Sequence, residues 1–329
     1  MGSFPSEVAK ELPGRHFANR CGIMQTIHEW AQLKAINDQH RLGFSDHPKL
    51  WCIDNKLYDL SPFISKHPGG ESWLTSTRGM DITGYFYTHH IEHKKVSQIL
   101  SKYYVKDLHT ANIDDLHTFK WGKDCNYFKL QEKVHQHLLT KYGKKYNQHR
   151  WSLQLLSLLA LIVWSISFSL LCKYPSIYTA MMAGCCLHPF IGVGHNYFHQ
   201  ADKKGIAGME TLWRYLFNFT MFSFEDWRLS HAISHHLDIN LSDDFEVSAV
   251  EPMVYFMSNS PTNSPAIYFY IHLFHFMIPG VDYLMKLCKG HVRLNQIVPA
   301  LQLALLIACN VDNREVPVWK LAMYWYVMH

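Results

Sequence analysis

From Trp151 to Cys172 the chain reads WSLQLLSLLALIVWSISFSLLC, 22 residues without a charge, closed by Arg150 on one side and Lys173 on the other. A helix of about 20 apolar residues crosses the hydrocarbon core of a bilayer, so this stretch predicts a membrane span. After Lys173, Tyr174 and Pro175 a second uncharged stretch runs from Ser176 to about residue 194. So short a connection predicts a membrane hairpin with both ends on one face. The segment before it carries Lys120, Lys123, Lys129, Lys133, Lys141, Lys144, Lys145 and Arg150. Such a basic flank belongs in the cytosol, which puts the amino-terminal half and everything just after Gly194 at the cytosolic face.

The remaining apolar stretches are weaker. Ala266 to Leu284 and Leu294 to Cys309 are further candidate spans, interrupted by Pro279, Asp282, Gln296, Pro299 and Gln302. If the first starts in the cytosol, the connection with Lys286, Lys289 and Arg293 falls on the far side, against the same charge rule. Thr211 to Phe224 is too short to span and reads as interfacial or re-entrant. Val316 to His329 begins an apolar helix pattern and stops after 14 residues, so the chain is expected to be truncated inside a span.

Composition agrees with a half-soluble, half-membrane chain. Of 329 residues, 48% are hydrophobic and 18% charged, which excludes disordered and fibrous classes. A net charge of +4 without a long Lys/Arg run argues against nucleic-acid binding. Eight cysteines without a C-x-x-C spacing read as buried thiols in a reducing compartment. The amino terminus has no apolar core after a basic start and so no cleavable signal peptide. Gly2 and Ser6 fit the myristoylation pattern, but a six-residue pattern is common by chance. The excess lies in histidine, 23 against 27 Asp and Glu, which points to metal or haem ligation where the histidines cluster.

One cluster lies in the soluble half. His67-Pro68-Gly69-Gly70 combines an imidazole with a turn that lets backbone pass close to a flat ligand such as haem. The loop holding His89, His90 and His93 can supply a second axial ligand, whereas a plain turn with a surface histidine is the competing reading. Around it stand Trp51-Cys52-Ile53, Lys56-Leu57-Tyr58-Asp59-Leu60 and Phe63, then Gly79, Asp81, Thr83 and Phe86. Together these resemble the cytochrome b5 haem-binding domain across residues 44–110. The resemblance implies His67 as first axial ligand of haem b and His90, 23 positions on, as the second, with His89 its adjacent competitor. Residues 44–110 hold seven Asp/Glu and eight Lys/Arg, whereas free cytochrome b5 is strongly acidic where its reductase docks. That balance favours transfer within the chain.

A second cluster follows the hairpin: His195-Asn-Tyr-Phe-His199, then Trp227-Arg228-Leu-Ser-His231-Ala-Ile-Ser-His235-His236. On an α-helix positions i and i+4 share a face, so His195 with His199 and His231 with His235 form imidazole pairs, with His236 one position round. Imidazole-rich sites suit iron, zinc or copper, and Glu225, Asp226, Asp238, Asp243 and Asp244 are available to orient ring nitrogens. The plainer reading is that polar histidines gather at a membrane interface. His188 reads as helix packing, with an extra ligand as the alternative, and His272 and His275 read as packing or cavity residues. The boxes HX3H and HX3HH resemble those of the membrane fatty-acid desaturase and hydroxylase superfamily, which implies that His195, His199, His231, His235 and His236 ligate a non-haem diiron centre. That superfamily also carries a third box, HXXHH or QXXHH, and none follows His236 in these 329 residues.

The fusion order resembles front-end desaturases and, more closely, the cytochrome b5-related proteins. The expected fold is an α+β haem domain followed by an all-α multi-span membrane domain. Its parts are an amino-terminal segment (1–43), the haem domain (44–110), a basic linker with a pre-membrane helix (111–150) and the membrane domain (151–329). The resemblance implies a fatty-acyl desaturase-type oxidoreductase of the endoplasmic reticulum membrane. Electrons would pass from an NADH-dependent cytochrome b5 reductase through haem to diiron, with dioxygen and an acyl-lipid or acyl-CoA as substrates. A membrane-anchored electron carrier, a lipid hydroxylase and a zinc-binding membrane protein are the alternatives.

Overall fold

In the computed structural model, which describes residues 26–108, 121, 125–143, 151–199, 213–239, 243–248, 277–313 and 315–329, the chain divides into two units. One comprises Met1–Gln148 with Leu229–Thr262, the other His149–Arg228 with Asn263–His329. Gly2, Ser6, His272, His275 and most of the 266–284 stretch lie outside the described residues.

The first unit opens with α1 (Ile27–Leu42). Thr26 and Glu29 close a capping box at its start, and Gly43 at φ 70° ends it in the left-handed region. Two three-residue strands follow, β1 (Trp51–Ile53) and β2 (Lys56–Tyr58), joined by Asp54 and Asn55, both at positive φ as a two-residue hairpin turn demands. β3 (Tyr104–Asp107) pairs antiparallel with β2, giving the order β1-β2-β3. Between β2 and β3 lie α2 (Glu71–Ser76), α3 (Thr83–His89) and α4 (His93–Leu100). They close over a core of Trp51, Ile53, Leu74, Met80, Tyr85 and Phe86.

Two segments outside residues 44–110 join that core. Ile27 and Trp30 of α1 are fully enclosed in it, and Leu229 and Ile233, on either side of His231, pack into the same cluster. Truncating a fully enclosed tryptophan costs about 3–5 kcal/mol. Trp30→Ala is therefore expected to lower the unfolding free energy of the detergent-solubilised chain by that much, read as an earlier midpoint in denaturant titration. An unchanged midpoint would mean that α1 is no part of the core. α5 (Asn126–Tyr142) completes the described part of the unit, with Gln131 donating to the Tyr87 carbonyl.

The second unit is helical. α6 (Trp151–Lys173) has 23 residues and the helical stretch Ile177–Phe198 has 22. Among the described residues these two are long and apolar enough to cross a membrane. The second is built from α7 (Ile177–Leu187) and α8 (Pro189–Phe198), and Ser176 caps it through Thr179. Three shorter helices follow: α9 (Ile278–Lys289), α10 (Val298–Ala308) and α11 (Val318–Met328). α11 lies so close to α7 that a Cβ on Gly184 would meet the Met328 carbonyl oxygen at 2.8 Å, a contact only small residues permit.

Of the 211–224 stretch, residues 213–224 are described: Trp213, Leu216, Phe217, Met221 and Phe224 are buried, with a 3-10 turn at Leu216–Phe219. At the end of α9, Lys286 contacts Asp226 at 2.8 Å and Asp282 at 2.6 Å, while Arg293 donates to Asp226 at 3.0 Å. The connection after α9 therefore lies beside the residues that lead into the second histidine box. Lys286 and Arg293 are thus paired with carboxylates, Asp226 among them buried.

Candidate functional site

In the first unit, His67 ends the 3-10 turn Ser61–Lys66 and His90 caps α3. His67 Nδ1 lies 2.9 Å from the Gly70 carbonyl and His90 Nδ1 lies 2.8 Å from the Phe86 carbonyl. A carbonyl oxygen only accepts, so both Nδ1 atoms carry the proton and both Nε2 atoms carry the lone pair that binds metal. The ring centroids are 6.2 Å apart. Imidazoles on opposite sides of one metal, with bonds of about 2.0–2.1 Å, have centroids about 6.4 Å apart. The pair thus fits a bis-histidine haem. Burial holds His90 below the usual histidine range, keeping the imidazole neutral as a ligand must be.

The turn explains why these residues sit there. A Cβ on Gly69 would lie 2.7 Å from His67 Cε1, and Gly70 adopts φ 106°, so neither position takes a side chain without strain. His89 is turned elsewhere: its ring packs on Trp73 at 5.1 Å and its Nδ1 lies 3.0 Å from the Tyr85 carbonyl. Of the adjacent pair, His90 is the one that faces His67.

The first histidine box ends α8 in the second unit. His195 Nε2 and His199 Nε2 lie 2.9 Å apart. Two nitrogens bound at about 90° to one another on one metal, with bonds of about 2.0–2.1 Å, are separated by about 2.9 Å, so this pair also fits a shared ion. Arg228, buried in the same unit, donates from Nε to the Phe198 carbonyl at 3.0 Å and so holds the end of the helix that carries the box.

The second box lies on a stretch of π-helix, Arg228–His235, continued by one α-helical turn at His236–Asp238. This departs from the α-helical spacing expected of HX3HH. With i→i+5 winding, His231 comes closer to His236 (centroids 4.5 Å) than to His235 (5.4 Å). His236 is therefore no outlier one position round but a neighbour of His231.

Of the five acids singled out in the sequence, Asp244 meets a box histidine directly. Asp244 Oδ2 accepts from His235 Nδ1 at 2.9 Å. Asp243 binds Lys34, Asp226 binds Lys286 and Arg293, and Glu225 accepts from Ser223. Asp238 is buried, and burial pushes its carboxyl up to about 7. The carboxylate on His231 is Glu246, whose two oxygens lie 3.0 and 2.9 Å from Nδ1. His231, His235 and Glu246 have donor atoms within 4.8 Å of one another. Glu246 had no local signal, lying 15 residues beyond His231. As at His67 and His90, Nδ1–H donation, here to a carboxylate, leaves the metal-binding lone pair on Nε2.

Residues 29–109 match the family described as cytochrome b5-like heme/steroid binding domain. The chain is 32% identical to the cytochrome b5-related protein of Drosophila melanogaster over 241 residues, 73% of this chain and 50% of that protein. It is 34% identical to the cytochrome b5-related protein of Drosophila virilis over 115 residues, 35% of this chain and 72% of that protein. A probable Delta(5) fatty acid desaturase C of Dictyostelium discoideum is 25% identical over 234 residues, 68% of this chain and 48% of that protein. The chain spans about half the length of the D. melanogaster and D. discoideum relatives. No solved structure matches it.

Proposed function

The chain belongs to the cytochrome b5-related family, with a cytochrome b5-like domain joined to a desaturase-like region, and from that premise we propose a membrane-bound, haem-binding oxidoreductase of lipid metabolism, of the fatty-acyl desaturase type. The observation that supports it best is the pairing of two kinds of imidazole site in one chain. His67 and His90 face each other at the spacing of a bis-histidine haem, and each box carries imidazoles in a metal-binding arrangement.

His67 and His90 would hold haem b, and His195, His199, His231, His235 and His236 would hold non-haem iron as a diiron centre. When bound, haem exchanges single electrons and non-haem iron activates dioxygen for removal of two hydrogens from an acyl chain. The residues' own part is to keep Nδ1 protonated on Gly70, Phe86, Asp244 and Glu246, so that each ring presents Nε2 in a fixed orientation. The proposal includes a multi-pass membrane domain in the endoplasmic reticulum, with haem domain and boxes facing the cytosol. An NADH-dependent cytochrome b5 reductase would be the partner, and an acyl-lipid or acyl-CoA the substrate.

Iron per haem in the detergent-purified chain tests this directly, with total iron by elemental analysis and haem by absorbance. One haem iron plus two others gives a ratio of about three. A ratio of about one would instead mean a haem-bearing electron carrier or an incomplete enzyme.

A further inference from the structure

We propose that Glu246 and Asp244 are positioning residues for His231 and His235, carried on one short segment that Lys34 of the amino-terminal helix holds in place. The inference rests on reading the second box as an iron site and adds the groups that orient it.

All of these residues belong to the first unit. Glu246 chelates the Nδ1–H of His231 with both oxygens, and Asp244 accepts from the Nδ1–H of His235. A carboxylate on Nδ1 fixes the tautomer and the ring plane of a metal-binding histidine and makes Nε2 a stronger donor. Asp244 is fully buried, so it cannot swing into water without breaking its contact. A short, defined segment then has to bring both acids to the box together. Ser234, between the two histidines, donates to the Asp243 carbonyl at 2.8 Å and accepts the Phe245 N–H at 2.6 Å. The Glu246 N–H closes back on Asp244 Oδ1 at 3.1 Å. Box and acid segment are thus stitched to each other through backbone as well as side chains.

The other side of the segment is held by α1. Lys34 Nζ lies 3.3 Å from Asp243 and 2.9 Å from Asp38, and the ring of Trp30 meets Phe245 edge-on at 6.5 Å. Burial alone would lower Lys34, but Asp38 and Asp243 keep it charged. Asp38 in turn accepts the Asp81 N–H at 3.0 Å and an Arg41 contact at 3.2 Å. The anchor of the acid segment is therefore built into the haem-domain core. A ligand role for Glu246 would require it to give up the two-oxygen contact with His231.

The test measures ferrous iron affinity of the full-length, detergent-purified chain by competition with a chromophoric chelator, with the haem absorbance of each variant as fold control. Glu246→Ala is expected to weaken iron binding about 10–100-fold with haem unchanged. Glu246→Gln keeps an acceptor for Nδ1–H and is expected to recover most of that loss. Gln binding as poorly as Ala would make Glu246 a direct ligand and overturn the positioning role. Glu246→Ala binding as tightly as the parent would overturn the inference outright. Asp243→Asn, which loosens the Lys34 contact and leaves the Lys34–Asp38 pair, is expected to weaken iron binding in the same direction, and unchanged affinity would remove Lys34 from the device. A parent chain without non-haem iron would overturn the iron reading itself, a result distinct from these.

Discussion

His67→Ala is expected to empty the first unit of haem, lowering haem per polypeptide by at least about tenfold. The expectation follows from the paucity of substitutes. His67 faces His90 from a turn whose Gly69 leaves room for nothing else beside the ring. Outer-shell changes around metal-binding histidines already cost about 10–100-fold in affinity, and losing a ligand costs more. His90→Ala should behave alike, because His89 is held against Trp73 and the Tyr85 carbonyl on another side of α3. His89→Ala should leave haem content as it was. Absorbance of the three purified variants reads the outcome. Full haem in His67→Ala, or haem loss confined to His89→Ala, would refute the ligand assignment.

His231→Ala should take the other metal. Its loss removes one imidazole and leaves Glu246 as a half-buried carboxylate without that partner. Iron per haem is expected to fall from about three toward about one while the haem band keeps its position and height. The haem band is a fair control because the side chains of this helix that pack in or against the haem-domain core, Leu229, Ile233 and Leu237 among them, are left in place by the substitution. His195→Ala acts on the other unit and should lower iron in the same way. Iron that stays at the parent ratio in both variants would mean that the boxes hold no iron.

Much of this protein is local and so was legible in the residues alone. The two candidate spans follow from run length and the absence of charge, since a bilayer tolerates no unpaired charge across its core. The haem turn follows from a histidine, a proline and two glycines in a row, because φ 106° and a 2.7 Å approach are demands that side-chain chemistry advertises. Box spacing marked the five histidines. Choosing His90 over His89 needed a family resemblance, since neighbours on one short helix look alike in one dimension.

What only the tertiary structure decided are the contacts between residues far apart in the chain. Glu246 reaches His231 from 15 residues away, Lys34 meets Asp243 and Trp30 meets Phe245 across most of the chain, and Lys286 meets Asp226. No periodicity encodes such pairs. A charge is buried only where an opposite charge arrives, and which one arrives depends on how the chain folds back. The π winding of the second box is of the same kind: HX3HH reads as α-helix, and the packing of Leu229 and Ile233 accompanies a wider turn that draws His236 to His231. Spacing in sequence names which residues can bind metal; the fold sets which acids orient them.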